Sequence, residues 1–124
     1  MSGSKYFLDT NAIIASLNGN TVVEEVLQSA TWIGTSVICI IEFLSYRDLS
    51  DSDRALLYKL VQRIQVIQIE NDMIVLEKIA NFRMQTSLKT PDSIIAANAI
   101  ANNAVLISSD DHFKDIKRLT VLKF

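Results

Sequence analysis

Short apolar runs of strand-forming residues alternate along this chain with longer segments whose apolar residues recur at helical spacing. Residues 6–8 and 105–107 are of the first kind. Residues 21–29 and 90–103 are of the second. Parallel strands need long crossover connections, which are usually helices, so this alternation favours a parallel sheet. We therefore predict a three-layer α/β/α fold with a mostly parallel central sheet of four or five strands.

The same patterns give approximate bounds for the elements. We predict strands at residues 6–8, 32–35, 65–69, 105–107 and 119–122, and, after a first helix that follows Asp9, helices at residues 21–29, 37–46, 52–63, 71–85 and 90–103. Ser36 and Thr90 have the side chains of N-caps, and Pro91 suits the first position of a helix. Residues 110–116 are expected to form a loop or a short helix, and the last strand is expected at an edge.

Composition limits the class of protein. The chain has 124 residues, of which 49% are hydrophobic and 21% charged, so it can bury a core as a single domain over residues 1–124. Residues 1–4 are interpreted as a flexible leader. One cysteine, with no disulfide partner, suits a reducing compartment, and no segment is long and apolar enough for a membrane helix, so we expect a cytoplasmic protein.

The net charge of −2 gives no overall electrostatic reason to expect a polyanionic partner. Contact with nucleic acid would then depend on a local basic patch or on a bound cation. Basic residues that are candidates for such contacts include Arg47 and Lys89, with Arg83, Lys114, Lys117 and Arg118 also available. For any single one of them, a solvated surface residue is the favoured interpretation. Tyr46 and Trp32 are candidates for stacking on bases, although an aromatic residue beside an apolar run is more often part of the core.

Acidic residues directly follow two of the predicted strands. Asp9 comes after the first strand, and Ser108 to Asp110 come after the fourth. Ligands of open parallel sheets bind outside the carboxyl ends of the strands, so these turns are favoured positions for chemistry if both strands are central. Asp9 is also a plausible helix cap and Asp110 a plausible turn residue, so neither is assigned a function by its position alone.

Two further acids lie on predicted helices. Asp92 opens a helix, where the helix dipole alone would favour it. Glu42 lies within a run that is apolar nearly all the way round, so we predict that its helix is buried. A buried carboxylate costs several kcal/mol unless a partner such as Arg47, or a metal ion, offsets it.

The four acids, Asp9, Glu42, Asp92 and Asp110, would suit a hard divalent cation. Carboxylate oxygens without nearby histidine or cysteine favour Mg²⁺ or Mn²⁺ over structural zinc. Crowded carboxylates repel one another, and a cation would relieve that repulsion. The only histidine, His112, is interpreted as a surface or turn residue.

Four segments resemble the successive motifs of PIN domains, particularly the VapC-like toxins: FLDTNAII, SVICIIEFL, TPDSIIAANAI and LISSDDHF. In this resemblance the four family acids fall on the four residues above, and Thr10, Asn11 and Ser108 match polar residues that support them. The pattern Ser-x-Asp-x-x-Phe selects Asp110, although Asp111 stands beside it.

The resemblance implies a Mg²⁺- or Mn²⁺-dependent endoribonuclease that hydrolyses RNA and leaves a 5′-phosphate and a 3′-hydroxyl. Asp9, Asp92 and Asp110 would hold the metal, while Glu42 would bind a metal or orient the attacking water. A small single domain of this type is expected to be the toxin of a type II toxin-antitoxin pair, homodimeric and inhibited by a small antitoxin protein.

Two alternatives stay open. The chain could be an inactive PIN-like domain that binds RNA or protein, or a housekeeping nuclease that processes RNA. Phosphatases of the haloacid dehalogenase type need a second aspartate two residues after the first, where this chain has Asn11. That class is therefore excluded.

Overall fold

Five strands form a parallel sheet in the computed structural model, which describes residues 4–124. The sheet order is β3-β2-β1-β4-β5, and every neighbouring pair is parallel. The strands are β1 (Ser4–Leu8), β2 (Ala30–Ser36), β3 (Gln65–Ile67), β4 (Val105–Ile107) and β5 (Val121–Leu122). The predicted fold class is confirmed, and the last strand lies at an edge as expected.

Six α-helices connect the strands. They are α1 (Thr10–Leu17), α2 (Thr21–Gln28), α3 (Val37–Leu44), α4 (Asp51–Val61), α5 (Met73–Met84) and α6 (Thr90–Ala101), and a short 3₁₀ helix follows β4 at Asp111–Phe113. The chain moves toward one edge of the sheet from β1 to β3 and then crosses back to β4. Since crossovers between parallel strands are right-handed, this reversal distributes the helices over both faces of the sheet.

The central strands are almost entirely apolar and buried. Phe7, Leu8, Leu106 and Ile107 have no exposed surface, because helices cover both faces of β1 and β4. Leu8 pairs with Ile107, so the residues that follow these two strands stand side by side. The backbone N–H of Asp9 donates to the carbonyl oxygen of Ile107 at 3.1 Å. The expected juxtaposition of the two strand ends is confirmed.

The predicted start of α6 is wrong by one residue. The N-cap of α6 is Lys89, with no side-chain hydrogen bond, and Thr90 is already helical. Pro91 therefore occupies the second position of the helix instead of the first. No helical hydrogen bond is lost, because backbone N–H groups of the first turn have no carbonyl partner within the helix. The leader predicted at residues 1–4 falls mostly on residues 1–3, which lie outside the described residues, but Ser4 belongs to β1.

Helix α3 is less buried than its apolar sequence predicts. Only Cys39 and Phe43 are buried, and Ile41 is 60% exposed. The helix begins at the carboxyl end of β2, where Ser36 caps it by accepting from the N–H of Ile38 at 3.1 Å. One face of α3 packs on the core and the other faces solvent. Within residues 4–124, no helix combines the length and the apolarity that crossing a membrane would require.

Candidate metal centre

Asp9 is held by a set of hydrogen bonds at the ends of β1 and β4. Its Oδ1 accepts from the backbone N–H of Thr10 at 2.8 Å, and its Oδ2 accepts from the hydroxyl of Ser108 at 2.7 Å and from Nδ2 of Asn11 at 3.4 Å. Asn11 in turn accepts from the backbone N–H of Ser109 at 3.1 Å. The carboxylate is therefore fixed from several sides.

Asp9 is also poorly solvated, with 6% of its surface exposed. Burial raises the pKa of Asp9, and the charges of Asp92 and Glu42 raise it further. The hydrogen bonds from Ser108 and Thr10 act in the opposite direction, because they stabilise the ionised form. The carboxylates of Asp9, Glu42 and Asp92, which are far apart in the sequence, therefore lie close enough to interact electrostatically at this end of the sheet.

Glu42 reaches the same place from α3. Its Oε1 accepts from the hydroxyl of Thr10 at 2.6 Å, and not from Arg47 as the sequence allowed. The prediction that Glu42 is buried is wrong, since it lies on the exposed face of α3. The cost of burying a charge therefore gives no argument for a metal at Glu42. Its contact with Thr10, the neighbour of Asp9, gives a geometric one.

Asp92 and Asp110 form the other side of the site. Burial raises the pKa of Asp92, and the negative charge of Asp110 raises it further, whereas His112 lowers it. The Nδ1 atom of His112 lies 3.4 Å from Oδ2 of Asp92 and 3.2 Å from Oδ1 of Asp110. Glu42 also contributes to the raised pKa of Asp92, which links this side to the Asp9 side.

The side chains of Asp110 and Asp111 point in different directions at the start of the 3₁₀ helix. Asp110 precedes it, accepts from the backbone N–H of His112 at 2.8 Å, and lies near Asp92. Asp111 is exposed and pairs with Lys123, which lowers the pKa of Asp111. The geometry brings Asp110, and not Asp111, next to Asp92.

The donor set fits a divalent cation. Among residues 4–124, two groups of side chains have ligand atoms within 4.8 Å of one another. One is Asp9 with Cys39 and Glu42, and the other is Asp92 with Asp110 and His112. Four carboxylates supply hard oxygen atoms of the kind that Mg²⁺ and Mn²⁺ bind. Burial is the main cause of the raised pKa values of Asp9 and Asp92, and neighbouring carboxylates raise them further; a bound cation would favour the ionised forms.

Cys39 and His112 also lie near the acids, so the prediction that no histidine or cysteine is close to them is wrong. Cys39 is one helical turn before Glu42, so their shared face of α3 was readable from the spacing. Burial raises the pKa of the Cys39 thiol to about 11, so the thiol is protonated at neutral pH. His112 had no such signal, because the 3₁₀ turn that directs it toward Asp92 is not evident in the sequence.

The residues predicted to contact nucleic acid do not form one cluster with the acids. Arg47 and Lys89 are both exposed, and Lys89 is the N-cap of the helix that carries Asp92. Tyr46 is exposed and contacts Phe43 edge to face. Trp32 hydrogen-bonds to Gln65 through its indole N–H at 3.0 Å. Its position early in β2 lies away from the carboxyl ends of the strands, where the acids are found.

The family model of the PIN domain matches residues 6–119. The chain belongs to the PIN domain family. All four acids lie within the matched segment, and the five-stranded parallel sheet is the one expected for PIN domains. A search of curated protein sequences finds no match.

Solved structures of similar fold include several VapBC assemblies. VapBC2 from Rickettsia felis, crystallised with a DNA fragment from its promoter, is 22% identical with a TM-score of 0.77, and the match covers 96% of this PIN domain and 98% of that chain. VapBC-1 from nontypeable Haemophilus influenzae is 28% identical with a TM-score of 0.68, covering 96% and 97%. The family and these neighbours support a nuclease of the VapC-like type.

Proposed function

We propose that this PIN domain is a Mg²⁺- or Mn²⁺-dependent endoribonuclease and the toxin of a type II toxin-antitoxin pair. The observation that carries the proposal is the convergence of Asp9, Glu42, Asp92 and Asp110 at the carboxyl ends of β1 and β4. Their mutual repulsion and their oxygen ligands suit a divalent cation. The match to the PIN family supports the same reading.

The residues have different tasks in this proposal. Asp9, Asp92 and Asp110 hold the cation, directly or through water, and Glu42 binds a cation or orients the attacking water. The cation, when bound, lowers the pKa of a coordinated water and stabilises negative charge on the phosphoryl oxygens in the transition state. Hydroxyl and amide groups of Thr10, Asn11 and Ser108 keep the carboxylates in place.

Cleavage of defined RNAs tests the enzymatic part. Protein freed of metal with a chelator is expected to be inactive, and added Mn²⁺ or Mg²⁺ is expected to restore cleavage with 5′-phosphate and 3′-hydroxyl ends. Asp9→Asn is the matched inactive control, and Ser109→Ala is the active one. Cleavage that persists in the chelator would refute the proposal. Absence of cleavage under all conditions would favour an inactive PIN-like domain that binds RNA or protein.

A groove on the helices that carry Thr10 and Glu42 offers a surface for an antitoxin. A groove of about 410 Å³ between α1, α3 and α4 is lined by Ile14, Leu17 and Phe43, with Tyr46 at its exposed side. An antitoxin segment that packs apolar side chains there can extend a basic side chain toward the acids, whose charge it would match. Several structural neighbours are toxin-antitoxin complexes, which supports a partner of this kind.

The biological part is tested by expression in bacteria. Induction of the wild-type chain is expected to arrest growth with degradation of RNA, and Asp9→Asn is expected to be harmless. Co-expression of a short protein encoded beside it should rescue growth. Growth that continues while active enzyme accumulates would instead favour a housekeeping nuclease.

Sedimentation measures the proposed homodimer, which would bury exposed apolar side chains such as Ile41.

A further inference from the structure

His112 lies where a fifth ligand of the proposed metal centre would lie. Its backbone position follows from the 3₁₀ helix, in which Asp110 accepts from the N–H of His112 at 2.8 Å. Its side chain then turns back so that Nδ1 faces Asp92 and Asp110. Phe113 is buried in the core, which anchors the turn, whereas the His112 side chain is 71% exposed. Packing therefore does not explain the position of the imidazole.

The distances suit a shared cation. Adjacent ligands of an octahedral ion with bonds of about 2.1 Å are about 3.0 Å apart. In the structure Nδ1 lies 3.2 Å from Asp110 Oδ1 and 3.4 Å from Asp92 Oδ2. Ligand atoms of Asp92, Asp110 and His112 all lie within 4.8 Å of one another, so one ion can contact all three after small side-chain movements. The exposed imidazole has room for that movement, because its ring is not packed in the core.

We propose that His112 is a nitrogen ligand of the divalent cation and makes the site prefer a first-row transition ion over Mg²⁺. The inference rests on the proposed metal dependence of the nuclease. Mg²⁺ takes oxygen ligands and keeps its waters, whereas imidazole is a common ligand of transition ions. For a site of mixed nitrogen and oxygen donors, affinity rises from Mn²⁺ through Fe²⁺ to Co²⁺.

Removal of the imidazole should therefore affect the ions unequally. His112→Ala is expected to lower affinity for Mn²⁺ on the order of 10-fold and for Co²⁺ more, and to change affinity for Mg²⁺ less than about threefold. Asp111→Asn is the matched control, because Asp111 is the neighbouring side chain that points to Lys123 and away from the site. Calorimetric titration with each metal alone measures the three affinities.

A direct test uses the fact that the chain has one histidine. In untagged protein loaded with Mn²⁺, electron spin echo spectroscopy should show ¹⁴N coupling from a coordinated imidazole. The signal should vanish in His112→Ala and persist in Asp111→Asn. Any imidazole coupling can be assigned to His112 without further labelling.

The outcomes separate this inference from the nuclease proposal. Bound Mn²⁺ without imidazole coupling, or an unchanged preference among the ions in His112→Ala, would overturn the role of His112 and leave the carboxylate centre intact. Absence of Mn²⁺ binding to the wild type would overturn both. Imidazole coupling that is lost with His112, together with the larger loss of Co²⁺ and Mn²⁺ affinity, is the expected result.

Discussion

The two sides of the candidate metal centre are built differently. On the β1 side, Asp9 is 6% exposed and accepts hydrogen bonds from Thr10, Asn11 and Ser108. On the rim, the side chains of Asp92, Asp110 and His112 are 23%, 32% and 71% exposed. The inner carboxylate is therefore fixed before any cation binds, whereas the rim can adjust to the cation and to a substrate.

Because of this difference, metal binding should respond differently to substitutions on the two sides. An ion bound at the fixed side depends on the placement of Asp9, so removal of its supporting groups should weaken binding even though they do not touch the metal. Rim residues contribute ligands that solvent can partly replace. Substitutions on the fixed side should therefore weaken metal binding more than substitutions on the rim.

Asp9→Asn should reduce RNA cleavage by on the order of 10³-fold and abolish the heat of Mn²⁺ binding, because the fixed ligand loses its charge. Single-turnover cleavage and calorimetry measure the two effects. Asp110→Asn on the exposed rim should weaken Mn²⁺ binding without abolishing it, because water can partly replace this ligand. Equal loss of binding in both variants would contradict the distinction between the two sides.

Ser108→Ala should lower the affinity for Mn²⁺ by about 10-fold to 100-fold, because it removes the hydroxyl that donates to Asp9 at 2.7 Å. The fold should persist, since the hydroxyl is replaced by a smaller apolar group. Ser109→Ala, at the exposed neighbouring residue, is the control. If the two serine variants bind Mn²⁺ equally, the hydrogen bond does not position Asp9.

The pH dependence of stability tests the crowding of charges on the rim. The pKa of Asp92 is raised above its ordinary value of 3.8, mainly by burial and by Asp110. The folded state thus holds this proton more tightly, and that stabilisation is present below pH 3.8 and is lost as the pH rises through the raised value.

Without metal, the free energy of unfolding of Asp92→Asn should therefore exceed that of the wild type by about 1 kcal/mol at neutral pH, a usual size for a stabilising surface-charge change. The difference should shrink as the pH falls. Urea unfolding in chelator at several pH values measures it. A difference in the free energy of unfolding that is independent of pH would contradict a raised pKa of Asp92 in the folded state.

Asp111→Asn should have the smallest effect, a change in cleavage of less than about twofold, because it removes only an exposed ion pair with Lys123. Asp110→Asn, one residue away, should strongly impair cleavage. Parallel measurement of the two variants tests which aspartate belongs to the centre. A larger loss for Asp111→Asn would reverse the assignment.

The sequence predicted the inner side of the centre better than the rim. Asp9 and Ser108 each follow a buried strand, and the pairing of parallel strands brings their ends together whatever the loops do. Glu42 was predicted to be buried because its neighbours are apolar, but Ile41 beside it is 60% exposed. Burial of one helix face depends on tertiary packing, which an apolar run does not specify.

His112 could not be placed from the sequence, since its direction depends on the 3₁₀ turn after Asp110 and on the anchoring of Phe113. The start of α6 was misplaced by one residue for a related reason. Local residue preferences favour Thr90 over Lys89 as the N-cap, but they do not fix a helix end to a single residue, and α6 begins one residue earlier.

Anomalous scattering from crystals soaked in Mn²⁺ would test most directly whether the four acids form one metal centre. A peak between Asp9, Asp92 and Asp110, within reach of Glu42, is the expected result, and the same soak of Asp9→Asn crystals should show none there. A fully occupied peak elsewhere, or no peak between these acids at saturating Mn²⁺, would contradict the proposed metal-dependent nuclease.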